Sequence, residues 1–283
     1  MNINWFPGHM TKARRMIEEN VALVDAVCEL LDARIPNASR NPDVDALTKG
    51  KPRLIVLNRC DLADPAVTKR WCAHYEARGF RVIETDARGG RGVRDFAPAA
   101  RALLAERLKE YEAKGLVGRP LRLMVIGIPN VGKSTFINRV AGRKAALAGD
   151  RPGLTRGRQW IRIDAGLELL DTPGILWPKF ESREVGELLA VTRAIKPEIL
   201  DVETLAANFM LRLRALYPAA LAERYGVDPA AELNGYELLE RAARKRGFLV
   251  SRGEVDLERM ANTLLGEYHD GKLGRLSLET PDD

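Results

Sequence analysis

Short apolar runs of strand length alternate with amphipathic stretches over the first two thirds of the chain. This alternation predicts a mostly parallel sheet with helices on both faces. Ala26–Leu31 reads as a strand ending in Asp32-Ala33-Arg34-Ile35-Pro36, and Leu54–Leu57 as a second that stops at Asn58. Arg81–Ile83 and Leu121–Ile126 read as further strands, and the apolar Leu167–Leu170 stretch runs into Asp171. Between them, Thr11 to about Asn20, Pro65–Arg78 and Asp95–Lys114 carry helical patterns, the second closed by Gly79.

Beyond about residue 185 the pattern turns wholly helical. Asp201–Tyr217, Pro218–Tyr225, Gly235–Arg246 and Gly253–His269 read as helices separated by Pro and Gly. The expected organisation is a basic helical segment at 1–20, an α/β domain at 21–182 and an all-helical domain at 183–283.

The strand ending at Ile126 delivers the chain into Gly127-Ile128-Pro129-Asn130-Val131-Gly132-Lys133-Ser134, followed by a helical Thr135–Val140. Glycines at 127 and 132 let the backbone turn tightly enough to aim N–H groups at phosphates, Lys133 neutralises β/γ oxygens, and Ser134 can ligate Mg²⁺. Pro129, Asn130, Val131, Gly132, Lys133, Ser134 and Thr135 are therefore the expected triphosphate cradle.

Downstream, Asp171-Thr172-Pro173-Gly174 places an acid where it can hold Mg²⁺ through water and a glycine whose N–H can meet a γ-phosphate. The polar loop Gly149–Thr155 between the two motifs offers Thr155 to close over that phosphate and complete the metal shell. Upstream of both lies Asn58-Arg59-Cys60-Asp61. A carboxylate at Asp61 accepts from guanine N1–H and its exocyclic amine, a pattern adenine lacks, so the motif selects GTP over ATP. Arg59 stands where such motifs usually carry Lys, and it can supply an apolar stem and a cation over the base. Asp86-Ala87-Arg88 is a second base-side loop. In an unpermuted GTPase the base motif follows the switch motif; here it precedes the phosphate loop, so the chain reads as circularly permuted.

Composition adds three bounds. A net charge of +6 and pI near 9.3 favour a polyanionic partner. No apolar stretch long enough to span a bilayer exists, and the N-terminus has no signal-peptide core, so a cytoplasmic location is expected. Cys28, Cys60 and Cys72 are odd in number and lack CxxC spacing, which argues against a disulfide framework and a zinc module.

As a set, Trp5-Phe6-Pro7-Gly8-His9-Met10, Asp32–Pro36, the permuted nucleotide motifs, Gln159-Trp160 and the helical C-terminal segment resemble the ribosome biogenesis GTPase A family. The resemblance implies a permuted P-loop GTPase domain with a C-terminal RNA-binding domain. It implies a GTP- and Mg²⁺-dependent assembly factor that acts on the large ribosomal subunit and its rRNA as a monomer. GTPases of small-subunit RNA or tRNA, a permuted ATPase, and an RNA-binding scaffold that hydrolyses nothing are the competing classes.

Ras-like enzymes orient water with Gln just after the switch glycine, but here that residue is Ile175. Slow intrinsic turnover is therefore expected, with Lys133, Thr155 and Gly174 as catalytic candidates in the chain. By resemblance, His9 is the water-orienting candidate and Asn130 a candidate K⁺ ligand. Arg241, Arg244, Lys245 and Arg246 lie on consecutive turns of a predicted helix, a footing for phosphate backbone.

Overall fold

A computed structural model of the chain describes residues 7–143, 159–177, 180, 182–197, 200–250 and 253–281, with side chains from Arg14 onward. The chain forms two compact units, Met1–Phe180 with Glu279–Asp283, and Glu181–Leu278. The tail from Glu279 thus groups with the first unit, although the expected boundary at 182/183 assigns it to the second.

The first unit is built on six strands, β1 (Ala26–Asp32), β2 (Arg53–Asn58), β3 (Arg81–Thr85), β4 (Leu121–Gly127), β5 (Gln159–Asp164) and β6 (Leu167–Asp171). Their order in the sheet is β3-β2-β1-β4-β6-β5, with every pairing parallel except β5 against β6. Every residue of β1 and β2 is buried, which is why both read as near-continuous apolar runs. Strand β5 escapes the sequence pattern because it alternates charged and apolar residues at a half-exposed edge.

Helices α1 (Pro7–Asn20), α2 (Val44–Thr48), α3 (Pro65–Ala77), α4 (Phe96–Leu103), α5 (Ala105–Ala113) and α6 (Lys133–Val140) cover this sheet. Ile17, Val21, Val44 and Leu47 from α1, α2 and their junctions bury against Val27, Met124, Ile126 and Leu170. Trp71 and Tyr75 of α3 bury against Leu31, Ile55 and Leu57. The single helix expected over Asp95–Lys114 breaks at Leu104. The break lets α4 set Phe96 edge-on to Phe136 at 5.3 Å while α5 brings the Tyr111 hydroxyl to Asp25 at 2.5 Å.

The second unit contains α7 (Arg183–Val191), α8 (Val202–Leu216), α9 (Pro218–Tyr225), α10 (Gly235–Lys245) and α11 (Leu257–His269), the others packing on α8. Side chains of Ser182, Asp201, Asn234 and Asp256 accept from backbone N–H groups in the first turns of α7, α8, α10 and α11. A Cβ on Gly235 would lie 2.3 Å from the Ala207 carbonyl oxygen, so α10 approaches α8 at its start only as glycine. No helix among the described residues is long and apolar enough to cross a membrane.

Candidate functional site

Chain order reverses between β1 and β4, the point in an open parallel sheet where a crevice forms beyond the strand ends. Asp32, Asn58, Thr85, Gly127 and Asp171 are the last residues of the five parallel strands, and all therefore lie at that end. Register puts Asp32 beside Asn58 and Leu30 beside Gly127. The permuted motifs thus meet through β1.

After β4 the backbone enters the left-handed region at Asn130 (φ 58°) and Gly132 (φ 96°), and α6 begins at Lys133. A helix start directly behind two such turns presents successive N–H groups to an anion. Gly132 has no alternative, because a Cβ there would lie 2.5 Å from the Asn58 side-chain nitrogen. Lys133 is buried and ion-paired with Asp171, itself 1% exposed at the end of β6. Burial lowers the Lys133 pKa and the Asp171 carboxylate opposes that shift.

The switch segment is fastened to the same loop. Thr172 donates its hydroxyl to the Val125 carbonyl at 2.6 Å, and the Ile175 N–H reaches the Gly127 carbonyl at 3.0 Å. A Cβ on Gly174 would stand 2.9 Å from Pro129 Cα, so only glycine lets this segment lie against the phosphate loop. Ile175 is buried among Ile17, Val44 and Ile126, which removes it from any role in handling water.

On the base side, Asn58 is a junction. Its amide donates to the Val131 carbonyl at 2.8 Å, while its oxygen accepts from the Thr85 hydroxyl and the Ala87 N–H, each at 3.1 Å. The side chain thereby joins β2, the base loop and the phosphate loop. Arg59, with φ 62°, donates to the Asn130 carbonyl and lies 3.9 Å from Asp32. Asp61 is exposed, and its pKa is raised by burial of part of the carboxyl and by neighbouring Asp86. Asp86 accepts from the Gly89 N–H at 2.7 Å, which shapes the loop.

The structure adds residues that the motifs did not disclose. Arg139 of α6 donates to the Ala87 carbonyl at 3.3 Å and to the Arg88 carbonyl, pinning the base loop. Arg91 donates to Cys60 Sγ at 3.1 Å. A Thr ending a strand before Asp86-Ala87 is a signal that could have marked Thr85; nothing in the sequence singles out Arg139. Thr155 lies outside the described residues, and His9 falls in α1 with its side chain outside the description. Ser134 is half-buried and Thr135 exposed in the first turn of α6.

A model of the 50S ribosome-binding GTPase family matches residues 122–210. The whole chain is 44% identical over 283 residues to ribosome biogenesis GTPase A of Bacillus cereus, covering 95% of that protein. This chain belongs to the ribosome biogenesis GTPase A family. Its member from Thermotoga maritima is 34% identical over 282 residues, spanning 99% of this chain and 95% of that protein. The crystal structure of GNP-bound YlqF from T. maritima superposes with a TM-score of 0.66 at 30% identity, over 96% of this chain and 99% of that one. Membership makes the chain a GTP-binding ribosome-biogenesis GTPase.

In the second unit the basic run is less uniform than its sequence implies. Arg241, Arg244 and Lys245 are exposed, but Arg244 pairs with Glu240 at 2.8 Å. Arg246 turns to Glu267, which also binds Arg224 and Tyr225. These partners hold the Glu267 pKa down at about 2 against the opposing effect of burial.

Proposed function

We propose that this GTPase binds the immature large ribosomal subunit in its GTP form, promotes late maturation and leaves after hydrolysis. Asp61 reads guanine, framed by Asn58, Arg59, Asp86 and Ala87. The loop from Pro129 to Thr135 and the Gly174 N–H hold the phosphates. The observation that carries the reading is the direct bonding of the base motif to the phosphate loop through Asn58 and Val131, joined to a family model described by 50S binding.

The donors fit magnesium, a cation that takes oxygen ligands: Ser134 at the start of α6, and Asp171, a buried acid already matched to a positive charge. With Thr155 they would hold Mg²⁺, which supplies charge to the phosphate oxygens. Asn130 would hold K⁺, which would supply further positive charge to the phosphates. Lys133 then exchanges Asp171 for phosphate, which keeps its charge answered in both states.

Ile175, aliphatic and buried, cannot orient water, so turnover is slow until the large subunit completes the site with His9 as the water-orienting residue. In other GTPases such completion is worth about 10⁵-fold. Exposed Arg241, Arg244 and Lys245 in the second unit contact rRNA phosphates, and the factor works as a cytoplasmic monomer.

Co-sedimentation with purified subunits tests this reading. Binding to large subunits with a non-hydrolysable GTP analogue, lost with GDP, supports it. Equal binding in both states, or preference for small subunits, overturns it.

A further inference from the structure

The C-terminal tail closes on the nucleotide side of the first unit. Glu279 is buried, and its carboxylate accepts from two successive backbone groups, Asn37 N–H at 2.8 Å and Ala38 N–H at 3.0 Å. Trp71 Nε1–H donates to the Glu279 carbonyl at 3.2 Å, which fixes the tail's approach. Ser39 N–H bonds back to the Ile35 carbonyl and Arg40 N–H to the Asn37 carbonyl, so residues 35–40 form a tight turn whose leading N–H groups this carboxylate satisfies. Glu279 thus closes this turn from 242 residues away.

The turn is continuous with the base motif. Ser39 Oγ accepts from Asp32 N–H at 3.0 Å and donates to the Pro36 carbonyl, where the Tyr75 hydroxyl also arrives. Asp32 binds Arg34 through both carboxylate oxygens, at 2.9 and 2.8 Å, and faces Arg59. At the start of the turn, Ala33 N–H donates to the carbonyl of Asn58 at 2.8 Å. Every link from the tail to Asn58 and Arg59 is therefore a hydrogen bond, an ion pair or one peptide step. Asp32, Ala33, Arg34, Ala38, Ser39, Asn58, Trp71, Tyr75 and Glu279 are all buried, whereas Asn37 is exposed.

We propose that Glu279 is a positioning residue for guanine recognition: it holds the Pro36–Ser39 turn against the end of β1, and the turn holds the Asn58-Arg59 step that frames the base. The inference rests on the assignment of the base site to Asn58-Arg59-Cys60-Asp61. Because Leu278 and Glu279 are joined covalently, the last residue of the helical unit leads straight into this clip. The chain's far end therefore sets how tightly the first unit grips its nucleotide.

Full-length E279A and E279Q test the proposal through GTP and GDP affinity, GTP-over-ATP preference, kcat at saturating GTP, and thermal melting. Gln keeps the volume and one acceptor but loses the charge. The expected result is GTP and GDP affinity weakened together by roughly tenfold in E279A and less in E279Q, with narrowed base preference and unchanged kcat. A purely structural role would lower the melting temperature of folded E279Q and leave base preference intact, which overturns the proposal, as does guanine affinity within about twofold of wild type. If E279A fails to fold, E279Q decides. Wild-type protein lacking GTP-over-ATP preference would instead sink the base-site assignment itself.

Discussion

The Asn58 side-chain amide donates to the Val131 carbonyl at 2.8 Å across 73 residues of sequence, joining the base motif to the phosphate loop. In a permuted chain these motifs belong to different segments, and this bond, with Arg59 reaching Asn130, holds them side by side.

Asn58→Ala removes three hydrogen bonds and leaves the Val131 carbonyl and the Ala87 N–H buried without their partner. The expected loss is about 3 kcal/mol of stability, together with most guanine-nucleotide affinity. Urea unfolding and GDP titration measure the two effects. A fully stable variant with intact affinity would show that the junction is dispensable.

Lys133 and Asp171 neutralise one another in a buried setting. Lys133→Ala or Asp171→Ala alone should each cost about 3–5 kcal/mol, because one charge is left buried and unanswered. The double variant Lys133→Met, Asp171→Leu should recover much of that stability while remaining unable to hold GTP. Chemical denaturation of all three variants checks the pattern; additive losses in the double variant would contradict it.

Burial and Asp86 raise the Asp61 pKa, so the folded apo-protein retains this proton to higher pH than an unfolded chain. Protonation alone thus favours the fold at low pH, and that contribution fades as pH rises through the raised value. Guanine binding has the opposite sign, since it needs the ionised acceptor. GDP affinity should fall as pH drops through the Asp61 pKa, and Asp86→Asn should move that fall to lower pH. A pH series of affinities in both proteins is the check, and coincident profiles would remove Asp86 from the site's electrostatics.

Glu267 is held down to about 2 from an ordinary 4.5 by Arg224, Tyr225 and Arg246. A lowered carboxylate stabilises the fold above its unfolded pKa and loses that contribution as pH falls from about 4.5 towards 2. Glu267→Gln should therefore cost about 2–3 kcal/mol near neutrality and little at pH 2. Melting curves across this acid range measure the difference, and a constant difference would contradict it.

Much of the first unit was legible because β1, β2 and most of β4 are buried and their strands end on residues with distinct chemistry. Leu54–Leu57 stopping at Asn58, and Leu121–Ile126 stopping at Gly127, show both features in the sequence. Helix α7 and strand β5 were not legible, since neither presents a long apolar period between clear stop signals. Leu104 looks like any helical leucine, so the break that separates Phe96 on Phe136 from Tyr111 on Asp25 leaves no mark in the sequence. Site residues acting through backbone carbonyls, such as Arg139, leave no spacing rule behind. The Glu279 clip is equally silent, because a carboxylate bonding two amides 241 and 242 residues away has no local pattern. Asn58 was expected as a base reader; the structure shows its side chain bonded to Thr85, Ala87 and Val131.

The central claim is that Asp61 grips the guanine ring in the crevice where Lys133 meets the phosphates. Asp61→Asn replaces an acceptor with an amide that can donate to the C2 carbonyl of xanthine. Titrating wild type and this variant with GDP and xanthosine diphosphate should show preference reversing, with GDP weakened by at least about 100-fold. Unchanged GDP affinity in the folded variant would contradict the account.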